Sequence, residues 1–405
     1  MTVQKSYKQP LLIIFLLLAS ILIASCTQAA PVSTCLMPLE ETMAVPTTLS
    51  QDAAQAIVEQ MVTAKLEAMQ AKDIDQYLAL IHKNDREYYT EQRNWFRIYQ
   101  DAVTSDFTID VQKVRVVNDS TLVASLKQHY LYGPEKDDRT VSYDERYIQT
   151  PDGWKDADLN FEAGQTAHFL IKYPRKAASN AADVCEEAEQ AYASVVKGLQ
   201  LEPAGKVTIK LYDDKEILRQ SSDIRVAYLF SGWNEDGESI KLYARRDRGT
   251  FAPLVAHELT HKITLGISDS LNSWLAEGLA TYFGNQPYQG GNVLEKNSVT
   301  LEQLTKPISW LEETNLIELT DGEAIKVYYG MSSMVVEFMV KTYGLDRLKA
   351  ILQELSKNPR YDRGYDYGQM ELENNKRLHQ AIETVLGIDM ETFNQQWLDW
   401  IKSQE

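Results

Sequence analysis

Six histidines occur in 405 residues, and two of them stand four apart in His257-Glu258-Leu259-Thr260-His261. Residues four apart on an α-helix project about 40° from one another, so both imidazoles face one side. Paired imidazoles with a glutamate between them are the pattern of a metal site that activates water. The flanks predict a helix, with Pro253 near its start and Gly266 as its stop. Phe251, Val255 and Leu259 fall on the opposite, core-facing side, while small Thr260 and Thr264 flank the histidines and leave room for an ion and water.

A catalytic zinc ion needs a third protein ligand and one open position. A third histidine in the longer H-E-x-x-H-x-x-G-x-x-H pattern is excluded, because Thr264 and Ile267 occupy the places it needs. Glu277, sixteen residues past His261, lies in Ser273-Trp274-Leu275-Ala276-Glu277-Gly278-Leu279-Ala280-Thr281-Tyr282-Phe283. Leu275, Leu279, Tyr282 and Phe283 give that segment an apolar helical face, with Glu277 on the other side. A carboxylate in such small and apolar surroundings is costly unless a positive charge meets it, which a zinc ion would supply.

H-E-L-T-H followed by W-L-A-E-G-L-A-T-Y resembles the gluzincin metallopeptidases, in particular the peptidase MA-like lipoproteins and more remotely the aminopeptidase N and thermolysin families. The resemblance covers about residues 165–405, specific in the two motifs and loose elsewhere. It implies Zn2+ held by His257, His261 and Glu277, Glu258 as general base, and hydrolysis of a peptide or protein substrate. The G-x-M-E-N segment of aminopeptidase N relatives is missing before His257, and Glu277 does not stand in the N-E-x-x-[SD] context of thermolysin relatives. An endopeptidase is therefore expected. In these relatives a tyrosine on a later helix stabilises the oxyanion, and Tyr328-Tyr329-Gly330-Met331-Ser332-Ser333-Met334-Val335-Val336 resembles that helix. Aligning Ser333 and Val335 favours Tyr328, with Tyr329 as the runner-up. The relatives also lay an extended peptide along an edge strand, and Ser239–Ala244 is the nearest strand upstream. Arg245, Arg246 and Arg248 follow it as a solvated turn.

The elements that must position these groups follow from the pattern. Within 163–405, strands are expected at Thr166–Tyr173, Lys206–Tyr212, Arg225–Phe230 and Ser239–Ala244, with Gly232–Gly237 as the turn between the last two. Ala177–Leu199 reads as a helix, and after Thr250 the pattern is helical almost to the end. Val335–Tyr343, Asp346–Leu355, Leu378–Leu386 and Met390–Ile401 are amphipathic, with Trp397 and Trp400 as a lid on the bundle. Residues 51–162 begin with helices over Ala53–Gln70, Ile74–Ile81 and Glu91–Ala102. The period then changes to two over Phe107–Val117, Thr121–Leu131, Thr140–Thr150 and Gly153–Leu159. Helices followed by a four-stranded meander resemble the NTF2-like cone fold, which implies a spacer or a ligand pocket. Asp73, Tyr77 and His82 have no spacing that makes a site. The expected fold class is thus α+β: an NTF2-like cone, then a zincin-like domain with a small mixed sheet, an active-site helix and a C-terminal helical bundle.

Composition and charge bound the remaining choices. Lys and Arg number 41 against 58 Asp and Glu, a net charge of −17, which argues against a nucleic-acid partner. Three cysteines without a C-x-x-C exclude cysteine-based zinc and redox motifs. Lys5 and Lys8 precede the apolar run Leu11–Ile23, which is short for a membrane span and reads as a signal peptide over 1–25. Ile23-Ala24-Ser25-Cys26 resembles a bacterial lipobox, implying that Cys26 is diacylated and anchors an exported chain to a membrane, at the cell surface or the periplasmic face. Residues 26–50, rich in Thr, Ala, Pro and Ser, read as a flexible tether. Cys35 in the tether and Cys185 in a later helix are expected as separate thiols. The alternative function is a ligand- or partner-binding lipoprotein that keeps a metallopeptidase fold. Nothing in the sequence sets an oligomeric state.

Overall fold

The computed structural model describes residues 48–102, 104–226, 230–244, 247–285, 299–361 and 367–404. The signal peptide, Cys26, Cys35, most of the tether, Arg245 and Arg246 lie outside the described residues. The architecture is mixed α+β: two sheets with their helices, then a helical C-terminal region. No helix among the described residues is long and apolar enough to cross a membrane.

The first layer opens with α1 (Gln51–Ala71), started by the Ser50 hydroxyl, which accepts from the Ala53 N–H. Ala54, Val58 and Val62 make its buried stripe, at the four-residue spacing of one helix face. Short α2 (Ile74–Ala79) and α3 (Arg86–Asp101) follow. Strands β1 (Thr104–Asn118), β2 (Thr121–Tyr132), β3 (Asp137–Thr150) and β4 (Gly153–Leu159) then form an antiparallel meander in the order of the chain. The β3–β4 turn uses Gly153 at φ 94°, a left-handed conformation that a side chain disfavours. Inward-facing Leu122, Ala124, Leu126 and Tyr147 pack on the α1 stripe. Lys65 is buried between helix and sheet, with Nζ 3.0 Å from Glu145 and 2.7 Å from Asp156. A lysine there is tolerable only because both carboxylates meet it.

The second sheet runs β5 (Glu162–Gln165), β6 (Phe169–Tyr173), β7 (Val207–Tyr212), β9 (Ile240–Tyr243), β8 (Gly232–Trp233) in spatial order. The β6–β7 and β7–β9 pairs are parallel, and the outer pairs antiparallel. All six residues of β7 are buried, as a strand covered on both faces requires. Helices α4 (Ala178–Leu199) and α5 (Lys215–Gln220) fill the connections. Two expectations are corrected here. Of the expected strand Arg225–Phe230, Arg225 is in a turn and Val226 and Phe230 are coil, with 227–229 outside the described residues. Gly232–Trp233, expected in a turn, pairs with Leu242 and Lys241 as the edge strand, which leaves β9 in the interior. A two-residue strand is too short to show a period of two.

Helix α3 lies against both sheets. Its Glu91 meets the Lys210 ammonium of β7 at 2.6 Å, and Lys210 also meets Asp158 of β4 at 2.6 Å. The Trp95 indole donates to the Gln220 carbonyl at 2.7 Å, and Arg139 of β3 donates to the Ile224 carbonyl at 2.6 Å. Cys185 on α4 is disulfide-bonded, against the expectation of separate thiols, and its partner lies outside the described residues. Sequence distance does not reveal which cysteines approach within bonding range.

The rest is helical: α6 (Phe251–Ile267), α7 (Ser273–Asn285), α8 (Leu301–Leu304), α9 (Ile308–Glu313), α10 (Gly322–Tyr343), α11 (Leu345–Leu355), α12 (Tyr367–Leu386) and α13 (Met390–Lys402). Trp397 is fully buried against Phe338 and donates to the Lys306 carbonyl, while Trp400 stacks on it.

Candidate metal centre

Helix α6 carries the H-E-x-x-H segment and is fixed by its buried face and by a cap at its start. Phe251, Val255 and Leu259 are wholly buried, with Ile263 nearly so. Its first turn has no side-chain cap of its own. Instead the Glu187 carboxylate of α4 accepts the N–H groups of Gly249 at 2.6 Å, Phe251 at 2.8 Å and Ala252 at 2.8 Å. A carboxylate at the positive end of a helix satisfies donors that would otherwise be orphaned. The sequence gives no sign of this cap, because it arrives from more than sixty residues upstream. Thr260 and Thr264 are fully buried rather than beside the open side of the histidines, and their hydroxyls bond back to the Ala256 and Thr260 carbonyls.

Helix α7 carries Glu277 and lies between α6 and α10. Its N-terminus is held by the Asn272 carboxamide, which accepts from the Leu275 N–H at 3.1 Å, and by Glu371, which accepts from the Ser273 N–H at 3.0 Å. Burial pushes the Glu371 carboxyl above its ordinary range. Two glycines let the helices touch. A Cβ on Gly284 would lie 2.8 Å from the His257 nitrogen and 2.9 Å from its Cα. One on Gly278 would lie 2.5 Å from the Ser332 carbonyl oxygen of α10. These close approaches set the depth at which Glu277 meets the histidines.

The three side chains converge. His257 Nε2 and His261 Nε2 are 3.2 Å apart, and Glu277 Oε2 lies 3.3 Å from the first and 3.5 Å from the second. A tetrahedral ion with bonds of about 2.0–2.1 Å requires ligand-to-ligand edges of about 3.3–3.4 Å, so the triangle has the size that zinc requires. Among the described residues, Glu277 Oε2 is also a buried oxygen with no hydrogen-bond partner, which a cation would satisfy. Among the described residues, these three form the group that could hold a metal.

The electrostatics follow from burial and proximity. Burial alone would raise the Glu277 carboxyl, but His261 and His257 outweigh it and hold it far below the ordinary carboxylate range. Glu258 is 5% exposed and pushed up to about 7, first by burial, with Glu277 and Glu235 adding to the rise against the opposing pull of His257. Gly232 of the edge strand lies directly over it, and any Cβ there would collide with the Glu258 carboxylate. A carboxylate poised near neutrality beside two imidazoles is suited to accepting and returning a proton.

The group faces a cleft of about 730 Å³ lined from β8, α6, α7 and α12, and also from α3. Tyr329 is on its wall, with its ring 6.4 Å from that of His257. Tyr328, the preferred oxyanion residue from the sequence, is instead fully buried beside Trp310. One residue turns a helix by about 100°, so the two tyrosines face different ways. Arg248 makes an exposed pair with Glu186 of α4, as a solvated turn would. Asp73 caps α2, Tyr77 bonds Gln92 in the core and the His82 N–H bonds the Asp156 carbonyl, all away from the cleft. A scan against protein-family models finds no match, and a search of curated proteins finds none either.

Proposed function

We propose that the chain is a zinc-dependent endopeptidase of the gluzincin kind, with His257, His261 and Glu277 holding the ion and Glu258 moving the proton. The observation that carries this reading is the triangle of Nε2, Nε2 and Oε2 atoms, whose edges suit a tetrahedral ion. Two imidazoles and one carboxylate, with three protein ligands rather than four, are the donor set of a catalytic rather than a structural zinc site. When bound, the ion supplies Lewis acidity, which polarises a carbonyl and acidifies water. Glu258, next to His257 on α6 and on the cleft wall, takes the proton of the attacking water and returns it to the leaving amine. Tyr329, on the cleft wall, donates to the developing oxyanion. In this reading the cleft, of about 730 Å³, receives the extended chain of the substrate.

In the same reading, the N-terminal helices and meander are an NTF2-like cone and the chain is an exported lipoprotein anchored through Cys26. The lipobox-like segment supports export, and so does the disulfide at Cys185, a bond typical of oxidising compartments. The test is cleavage of unfolded casein by the zinc-loaded wild type and by Glu258→Gln. Internal cuts that vanish in the variant while zinc is retained support the proposal. Equal inactivity of both toward a broad peptide library would replace it with the ligand-binding alternative.

A further inference from the structure

Along α3, Glu87, Glu91 and Asn94 stand at the spacing i, i+4, i+7, which is one face of a helix. A polar stripe on a helix ordinarily faces water. This one is turned inward, with Glu91 5% and Asn94 3% exposed, and burial of such groups is costly unless each meets a partner. All three partners belong to the chain that follows the N-terminal layer. Asn94 donates to the Glu238 carboxylate at 2.7 Å, and Lys241 of β9 meets that carboxylate at 2.8 Å. Glu91 accepts from the Ser239 N–H at 3.0 Å and meets Lys210 of β7 at 2.6 Å. Glu87 accepts from the Lys262 ammonium of α6 at 2.8 Å, and the same ammonium donates to the Glu238 carbonyl. Lys262 is the residue directly after the metal-site histidine His261.

We infer that Glu87 and Lys262 form a clamp through which the N-terminal layer sets the rotation of the metal helix, so that Glu87 is a positioning residue for the metal centre. The Glu187 cap fixes the start of α6, well before His261. The apolar contacts of its buried face are non-directional, whereas a hydrogen-bonded ion pair has a direction and resists turning. The side chains of Lys262 and Glu87 are 16% and 27% exposed, so solvent screens the pair less than it would an open surface pair. Rotation is the motion to which the site is most sensitive. A histidine tip stands about 5–6 Å from the helix axis, so a turn of about 10° moves it by about 1 Å. A metal site tolerates departures of only about 0.2 Å from its ligand distances. The N-terminal layer is thereby a brace for the metal helix rather than a spacer. This inference rests on the metal triad of the peptidase proposal and adds the residues that hold its helix in place.

The test uses the full chain, loaded with zinc for affinity and kinetics and with cobalt(II) for absorption spectra. Glu87→Ala weakens zinc binding about tenfold in chelator competition and lowers kcat on a fluorogenic peptide about tenfold, with little change in KM. Its cobalt(II) bands shift from their wild-type positions. Glu87→Gln keeps an acceptor for Lys262 and stays within about twofold of the wild type in both measurements. Val58→Ala, in the buried stripe of α1, controls for a simple loss of stability in the N-terminal layer. It lowers the melting temperature at least as far as Glu87→Ala while zinc affinity, kcat and the cobalt spectrum stay as in the wild type. Wild-type zinc affinity and an unshifted spectrum in Glu87→Ala, or equal changes in Val58→Ala, would overturn the clamp and leave the peptidase reading intact. A wild type that binds zinc yet cleaves no peptide would remove the peptidase reading, with affinities and spectra still deciding the clamp. A wild type that binds neither metal would end both.

Discussion

Replacing Gly278 with alanine isolates the packing that places Glu277. Alanine is the better helix former by about 1 kcal/mol, so propensity alone predicts a more stable protein. The structure predicts the reverse. The added Cβ would stand 2.5 Å from the Ser332 carbonyl oxygen, 2.8 Å from its carbon and 2.9 Å from Val336 Cγ2. Ordinary contact requires about 3.4 Å or more, so α7 must withdraw from α10 by roughly 1 Å. Withdrawal drives it into α6, where Gly284 already lies against the His257 backbone. Overpacking of this kind costs about 1–3 kcal/mol and here displaces a ligand helix as well. Urea unfolding and chelator competition for zinc are the assays, with Gly266→Ala as control, because a Cβ at Gly266 meets nothing within 4 Å. We expect Gly278→Ala to be less stable and to bind zinc about a hundredfold more weakly, and Gly266→Ala to match or exceed the wild type. A stabilised Gly278→Ala with intact zinc affinity would refute the reasoning.

Glu187→Ala strips the acceptor from three N–H groups at the start of α6, and a loss of about 3 kcal/mol in urea unfolding is expected, with Glu187→Gln losing less. Tyr329→Phe lowers kcat on casein peptides about a hundredfold while Tyr328→Phe leaves it near wild type, and steady-state kinetics read both. Burial would raise the Glu91 carboxyl, but Lys210 and then Lys241 outweigh it and hold Glu91 below its ordinary value of 4.5. Its contribution to stability is therefore complete above that value and lost as pH falls below it. Urea midpoints between pH 5 and 3 should fall more steeply for the wild type than for Glu91→Gln.

The candidate metal triad was legible because most of it is local. His257 and His261 share a helix, so their mutual geometry is fixed by spacing, and the solitary carboxylate of Glu277 stands out against apolar neighbours. The long helices and the meander were equally legible from their periods. What escaped depends on which surfaces meet. Gly278 and Gly284 look like ordinary helix glycines until the backbones of α10 and α6 are set against them. Glu187 reads as an exposed helix charge until α6 starts beside it. Tyr328 and Tyr329 are neighbours in sequence, and only the packing of α10 decides which one faces the cleft. The contact of α3 with the segment before β9 was invisible for the same reason, since Asn94 meets Glu238 across more than a hundred residues of chain.

Anomalous diffraction from zinc-loaded crystals, recorded on either side of the zinc absorption edge, bears most directly on the central claim. One peak is expected, about 2.0–2.2 Å from His257 Nε2, His261 Nε2 and a Glu277 oxygen. No peak at that position, or a peak coordinated without Glu277, would contradict it.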